Sequence, residues 1–145
     1  MGARDTLFEE LGGMPCLDRV HRVFYEKLLA HPWLRQFFQG VRREHLESQQ
    51  SEFMSKLFGG PDIYRGRNPK GAHMHMYITE EVFQARHDIL ERSLNEAGIA
   101  PDLRRRWLDY DMGLKKAPVK TAVSECAGRF GTDPIIAPSK PHYIS

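Results

Sequence analysis

An all-α fold is predicted by three features of the 145-residue sequence. Apolar residues recur at spacings of three and four in almost every segment, the period of an amphipathic helix. No segment alternates apolar and polar residues at the period of a strand. Glycine and proline then punctuate the periodic segments: Gly12-Gly13, Pro32, Gly40, Gly59-Gly60-Pro61, Gly98 and Pro118.

Leu17, Val20, Phe24 and Leu28 predict a first long helix from about Met14 to Ala30, with Gly12-Gly13 as a flexible joint before it and Pro32 to stop it. A short turn follows from Trp33 to Phe38 and ends at Gly40. The next helix spans about Arg42 to Phe58, its stripe formed by Leu46, Gln50, Phe53, Met54 and Leu57. From Pro61 to Ile78 the chain is rich in Gly, Pro and Asn, and one turn of helix is expected there, around His73. Thr79 is placed to cap a further helix, with Glu80 and Glu81 favourable against its dipole. That helix buries Phe83, Leu90, Leu94 and Ala97 and ends at Gly98. Pro101 opens the last helix, which carries Leu103, Trp107, Tyr110 and Leu114 on one face and is kinked or ended by Pro118. One domain over residues 1–128 is expected, followed by an irregular Pro-rich tail over 129–145.

Composition narrows the function. With 41% hydrophobic and 28% charged residues the chain reads as a globular protein, and a formal net charge of +2 with interleaved signs does not suggest a nucleic-acid binder. No apolar run approaches the roughly 18–20 residues of a membrane span. The N-terminal segment lacks the apolar core of a signal peptide, so the cytoplasm is the expected location. Cys16 and Cys126 form no C-x-x-C pair, which argues against a structural zinc site or a disulfide framework.

Polar residues inside apolar stripes carry more information, because burying an unpartnered polar group costs about 1–3 kcal/mol. Gln50 sits near the centre of the face made by Leu46, Phe53, Met54 and Leu57. It is either a core amide satisfied by backbone or water, or an amide aimed into a ligand pocket, with Gln49 on its flank. Tyr25 lies at the edge of the first helix's face, as a boundary tyrosine or as a hydroxyl reaching a polar partner. His87 lies among Phe83, Leu90 and Leu94, and His21 at the edge of the first helix is similar. His73 closes the Gly-rich loop within GAHMHMY, while His31, His45 and His142 read as solvated.

One histidine, an amide, a phenol and many apolar residues suit few cofactors. Zinc needs three or four close ligands, and no third ligand is evident beside His73 and His75. Copper(I) favours thioethers, but His73-Met74-His75-Met76 in one short loop cannot close a cage unaided. Haem needs one axial histidine and an apolar slot, which is the economical reading. A helical interaction module and a copper-handling protein stand as rivals from other classes.

The order of motifs then resembles a family. TLFEELGG, VFYEKLLAHPWLRQFF, LFGGPDIYRGR and AHMHMYITEEVF occur in the order and spacing of the group I truncated haemoglobins, over about Thr6 to Val119. The resemblance implies a two-over-two helical sandwich around haem b, with the segment before the proximal histidine largely unwound. It assigns the iron ligand to His73 and the distal hydrogen-bond donors to Tyr25 and Gln50. Gln49 stands beside them, and Leu46 where many globins use a distal histidine. Phe38 matches the phenylalanine that wedges the haem, Phe53 and Met54 the pocket lining, and Tyr64 the residue that meets a propionate. Lys70 and His75 are further propionate contacts on this reading, His75 otherwise facing outward. Arg86 and His87 depart from the pattern, standing where relatives place small apolar residues against the haem. His87 is thereby kept open as a second ligand or a pH-sensitive neighbour.

The function implied is reversible binding of O2, CO or NO by a monomer or weak dimer. The alternatives are a haem enzyme that oxidises nitric oxide with the help of an outside reductase, or one with peroxidase-type activity.

Overall fold

The computed structural model describes residues 6–66, 73–116, 118–121, 123–127 and 135–142. Helix α1, Leu7–Leu11, begins where the Thr6 hydroxyl accepts the Glu9 amide at 3.1 Å and ends at Gly12. Helix α2, Met14–Ala30, has Pro15 in its first turn, where a missing amide proton costs nothing. It stops at His31, whose ring nitrogen accepts the amides of Trp33 and Leu34 at 3.2 and 3.1 Å. His31 therefore opens the 3-10 turn Leu34–Phe38 rather than standing idle at a helix end.

Helix α3, Arg43–Leu57, is followed by a tight reversal: Gly59 has φ 89°, and a Cβ on Gly60 would fall 2.5 Å from the Phe8 ring. Helix α4, Glu80–Glu96, is capped as expected, the Thr79 hydroxyl accepting the Val82 amide at 3.1 Å. Helix α5, Pro101–Gly113, ends before Pro118, so that proline neither kinks nor terminates it. Its buried face also differs from the expected one. Tyr110 is 41% exposed, and Asp111, 2% exposed, takes the inward position one turn after Trp107.

Two helix pairs result, α2 with α3 and α4 with α5, and α2 packs on α4 to join them. Leu17, Val20, Phe24 and Leu28 give α2 an almost completely buried stripe, met by Met54 and Phe58 on one side and by Leu94 and Trp107 on the other. His21 is no edge residue: 1% exposed, it is hydrogen-bonded to Ser51 of α3 at 2.7 Å and stands edge-on to Trp107 of α5. Burial depresses its pKa to about 3, with the Arg86 charge adding to the effect, so the ring is neutral.

No regular strand forms among the described residues, but two parallel bridges do, Met76 to Ile136 and Ile78 to Val119. Residues 135–142 are thus brought back onto the domain. Tyr77 donates to the Ile136 carbonyl and the Ile136 amide to His75, both at 2.8 Å. The Trp33 indole donates to Pro138 at 3.1 Å, and Lys140 pairs with Glu81 at 2.5 Å.

Candidate functional site

Between the helix pairs lies a cavity of about 250 Å³, far more than the roughly 30 Å³ one water occupies. Each wall follows from a helical face. Helix α2 supplies Phe24, Tyr25 and Leu28, and the 3-10 turn adds Leu34, Phe37 and Phe38. Helix α3 presents Leu46, Gln49, Gln50 and Phe53, spaced so that all four fall on one side. His73, Met76 and Ile78 come from the irregular segment before α4, Tyr64 from the loop after α3, and Val82, Phe83 and Arg86 from α4 itself. Apolar side chains dominate, with a few polar groups among them, as in small-molecule sites generally.

Tyr25 is 6% exposed and held edge-on between Phe24 and Phe38, with ring centroids 5.2 and 6.0 Å away. Burial raises the pKa of its hydroxyl, an effect the positive charge of Arg86 partly offsets, so it remains a hydrogen-bond donor at neutral pH. Tyr64 stands edge-on to Phe53 at 5.2 Å.

His73 belongs to a single helical turn, and its carbonyl accepts the Met76 amide at 2.9 Å. The ammonium of Lys120 braces this segment by donating to three carbonyls: His73 at 2.9 Å, Met76 at 2.8 Å and Pro118 at 3.1 Å. Burial lowers the pKa of that ammonium, an effect that Cys126 and Glu125 partly offset.

The cavity therefore brings together Tyr25, Phe38, Leu46, Gln49, Gln50, Phe53, Tyr64 and His73. Two other expected residues do not join them. Met54 is 2% exposed within the core and is not on the cavity wall, and His75 is 8% exposed, buried rather than outward-facing, and also off the wall. Lys70 lies outside the described residues. Sequence reasoning also passed over Lys120 and Asp111. Asp111 was detectable, because it falls one turn beyond Trp107 and is polar on an apolar face.

His87 does not reach the cavity wall. Its Nδ1 donates to Asp111 at 2.7 Å, and Arg86 makes a two-pronged contact with the same carboxylate, one arm at 2.8 Å. Burial alone would raise the Asp111 pKa, but the guanidinium's charge and hydrogen bonds, aided by His87, hold it down to about 2.

No three His, Cys, Asp or Glu side chains gather around a metal-sized space among the described residues. An apolar slot with one imidazole and several uncharged donors instead fits a planar iron cofactor that brings four of its own ligands. The bacterial-like globin family model matches residues 6–117, more than half of the chain. This chain is a bacterial-like globin.

Among the globins it belongs with the group 1 truncated haemoglobins. The Tetrahymena thermophila protein of that name is 33% identical over 103 residues, 71% of this chain and 85% of the relative. The Tetrahymena pyriformis truncated haemoglobin, solved in its Fe(III) form, superposes with a TM-score of 0.75 at 28% identity, covering 81% of this globin and all of that chain. The Synechococcus 2/2 haemoglobin, whose structure carries a covalently attached haem, gives 0.68 at 28% identity over 74% and 90%. The two helix pairs are accordingly the two-over-two sandwich, and the globin is a haem-binding one.

Proposed function

We propose that this globin binds O2 and related diatomic molecules reversibly at a haem b held by His73, with hydrogen bonds from Tyr25 and Gln50 acting on the ligand. The observation that carries this reading is that one apolar cavity is lined by His73, Tyr25 and Gln50 together. Haem bound there would be held by His73 and would supply an iron able to bind diatomic ligands. The apolar walls keep water from the ligand, and the Tyr25 hydroxyl and the Gln50 amide donate to a ligand that accumulates negative charge. Such hydrogen bonds are stronger than those to a neutral partner and slow the ligand's departure. Tyr64 is set at the loop side of the cavity, suited to a propionate.

A slow release suits chemistry on the ligand better than its delivery. The second reading is therefore oxidation of nitric oxide by O2 to nitrate, with an outside reductase supplying one electron per turnover. The two donors Tyr25 and Gln50 lining the same cavity favour it over peroxidase-type activity.

The test is the absorption spectrum of purified protein, reduced and oxidised, with and without CO. A histidine-ligated ferrous–CO spectrum is expected in the wild type, and its loss or alteration in His73→Ala. Failure of the wild type to take up haem on reconstitution would overturn the proposal and bring the copper reading of His73, Met74, His75 and Met76 forward for testing.

A further inference from the structure

Among the described residues Arg86 is the cationic side chain on the cavity wall, and the ligand chemistry above gives it no task. Its guanidinium is held from three sides. Asp111 receives two of its N–H groups, and the rings of Phe24 and Phe83 lie with centroids 5.5 and 5.1 Å from its central carbon. A guanidinium carries five N–H donors, so the bond to Asp111 leaves three uncommitted to that carboxylate. A quarter of the side chain stays exposed, whereas Asp111 is nearly enclosed at 3%.

The pair is oriented as well as fixed. Asp111 stands behind Arg86 on α5 and shares its charge with His87, while Arg86 faces the space that Tyr25 also lines. The positive charge is felt at the Tyr25 hydroxyl, whose pKa Arg86 lowers against the effect of burial. A structural ion pair alone would need no place on the wall of a ligand cavity.

We infer that Arg86 makes this cavity selective for small inorganic anions, of the azide or nitrite class, over neutral diatomic ligands of similar size. The inference rests on the haem-binding reading. Its physical basis is that a fixed charge in a partly dry site attracts an anion without reorganising, whereas a neutral molecule such as CO gains little from it.

The test compares azide affinity of the ferric, haem-loaded protein with CO affinity of its ferrous form. Arg86→Gln removes the charge and keeps an amide. Because it strands a buried carboxylate, Arg86→Gln combined with Asp111→Asn removes both charges at once. The azide-to-CO affinity ratio is expected to fall at least about tenfold in Arg86→Gln, and by less in the double variant, where the opposing Asp111 charge is removed as well; one unopposed charge about 4 Å away at an effective dielectric of about 20 sets the upper bound, roughly a thousandfold. Arg86→Lys is expected to recover most of the ratio. An unchanged ratio overturns the inference, as does faster haem loss with azide affinity intact, which would assign the guanidinium to the cofactor's carboxylates. If the wild type takes up no haem, the functional reading fails first. Azide is then titrated into the haem-free protein while the Arg86 Nε–H resonance is followed by NMR, where a saturable shift upholds the anion site and no shift overturns it.

Discussion

Tyr25 is where a single atom should matter most. Its ring is fixed by Phe24 and Phe38, so Tyr25→Phe removes the hydroxyl and leaves the packing in place. The loss of one charge-assisted hydrogen bond, about 1.5 kcal/mol, corresponds to O2 dissociating roughly tenfold faster, measurable by stopped-flow displacement with CO. Tyr25 and Gln50 stood out in the sequence as polar groups at the edge and near the centre of apolar stripes, because a stripe records which side of a helix is inward, while the roles proposed for them came from the family resemblance. Arg86 was visible only as a departure from the family pattern. Its partner Asp111 lies 25 residues away on another helix, a separation that no local period reports. His21 was misjudged for the same reason: its position on α2 suggested an edge, and only Ser51 and Trp107 from other helices enclose it.

At the scale of elements, the four long helices were legible to within a residue or two at most ends. Thr79, Pro101 and the Gly59-Gly60 reversal mark their boundaries by local chemistry that does not depend on the rest of the fold. The helical turn at His73 was expected, but the way the segment to Ile78 is held was not legible, because those contacts come from residues 118–120 and 136. Lys120 is at their centre. Lys120→Met is expected to remove one donor from each of three carbonyls, of which those of His73 and Met76 keep a backbone amide, and to cost about 1–2 kcal/mol of stability. Hydrogen exchange should report it locally, with the Tyr77 and Lys120 amides exchanging faster while amides in the middle of α2 keep their protection.

The whole molecule should be sensitive to acid, through its buried titratable groups. The folded state keeps His21 neutral down to about pH 3, whereas the unfolded chain takes up that proton near pH 6.5. The contribution is complete above pH 6.5 and declines as the pH falls, by about 2 kcal/mol between pH 7 and pH 5. Urea unfolding at the two pH values should show it, and His21→Gln should flatten the difference. Asp111 has the opposite charge type and a lower window: its contribution is present above about pH 3.8 and disappears as the pH falls towards 2. His21 ties α2 to α3 and packs on α5, and Asp111 ties α5 to α4, so acid weakens both helix pairs rather than fraying one end.

The two bridges from residues 76 and 78 to residues 136 and 119 set an order of assembly. A nascent chain has already exposed Tyr25, Gln50 and His73 when the backbone partners of the His73 segment are still being translated. Until Val119, Lys120 and Ile136 have emerged, the wall that carries His73 lacks the contacts that shape it. The cavity can therefore close around a cofactor only once the chain has been synthesised past Ile136, and termination between Gly113 and Ile136 leaves a chain with its helices encoded and its binding wall unfinished.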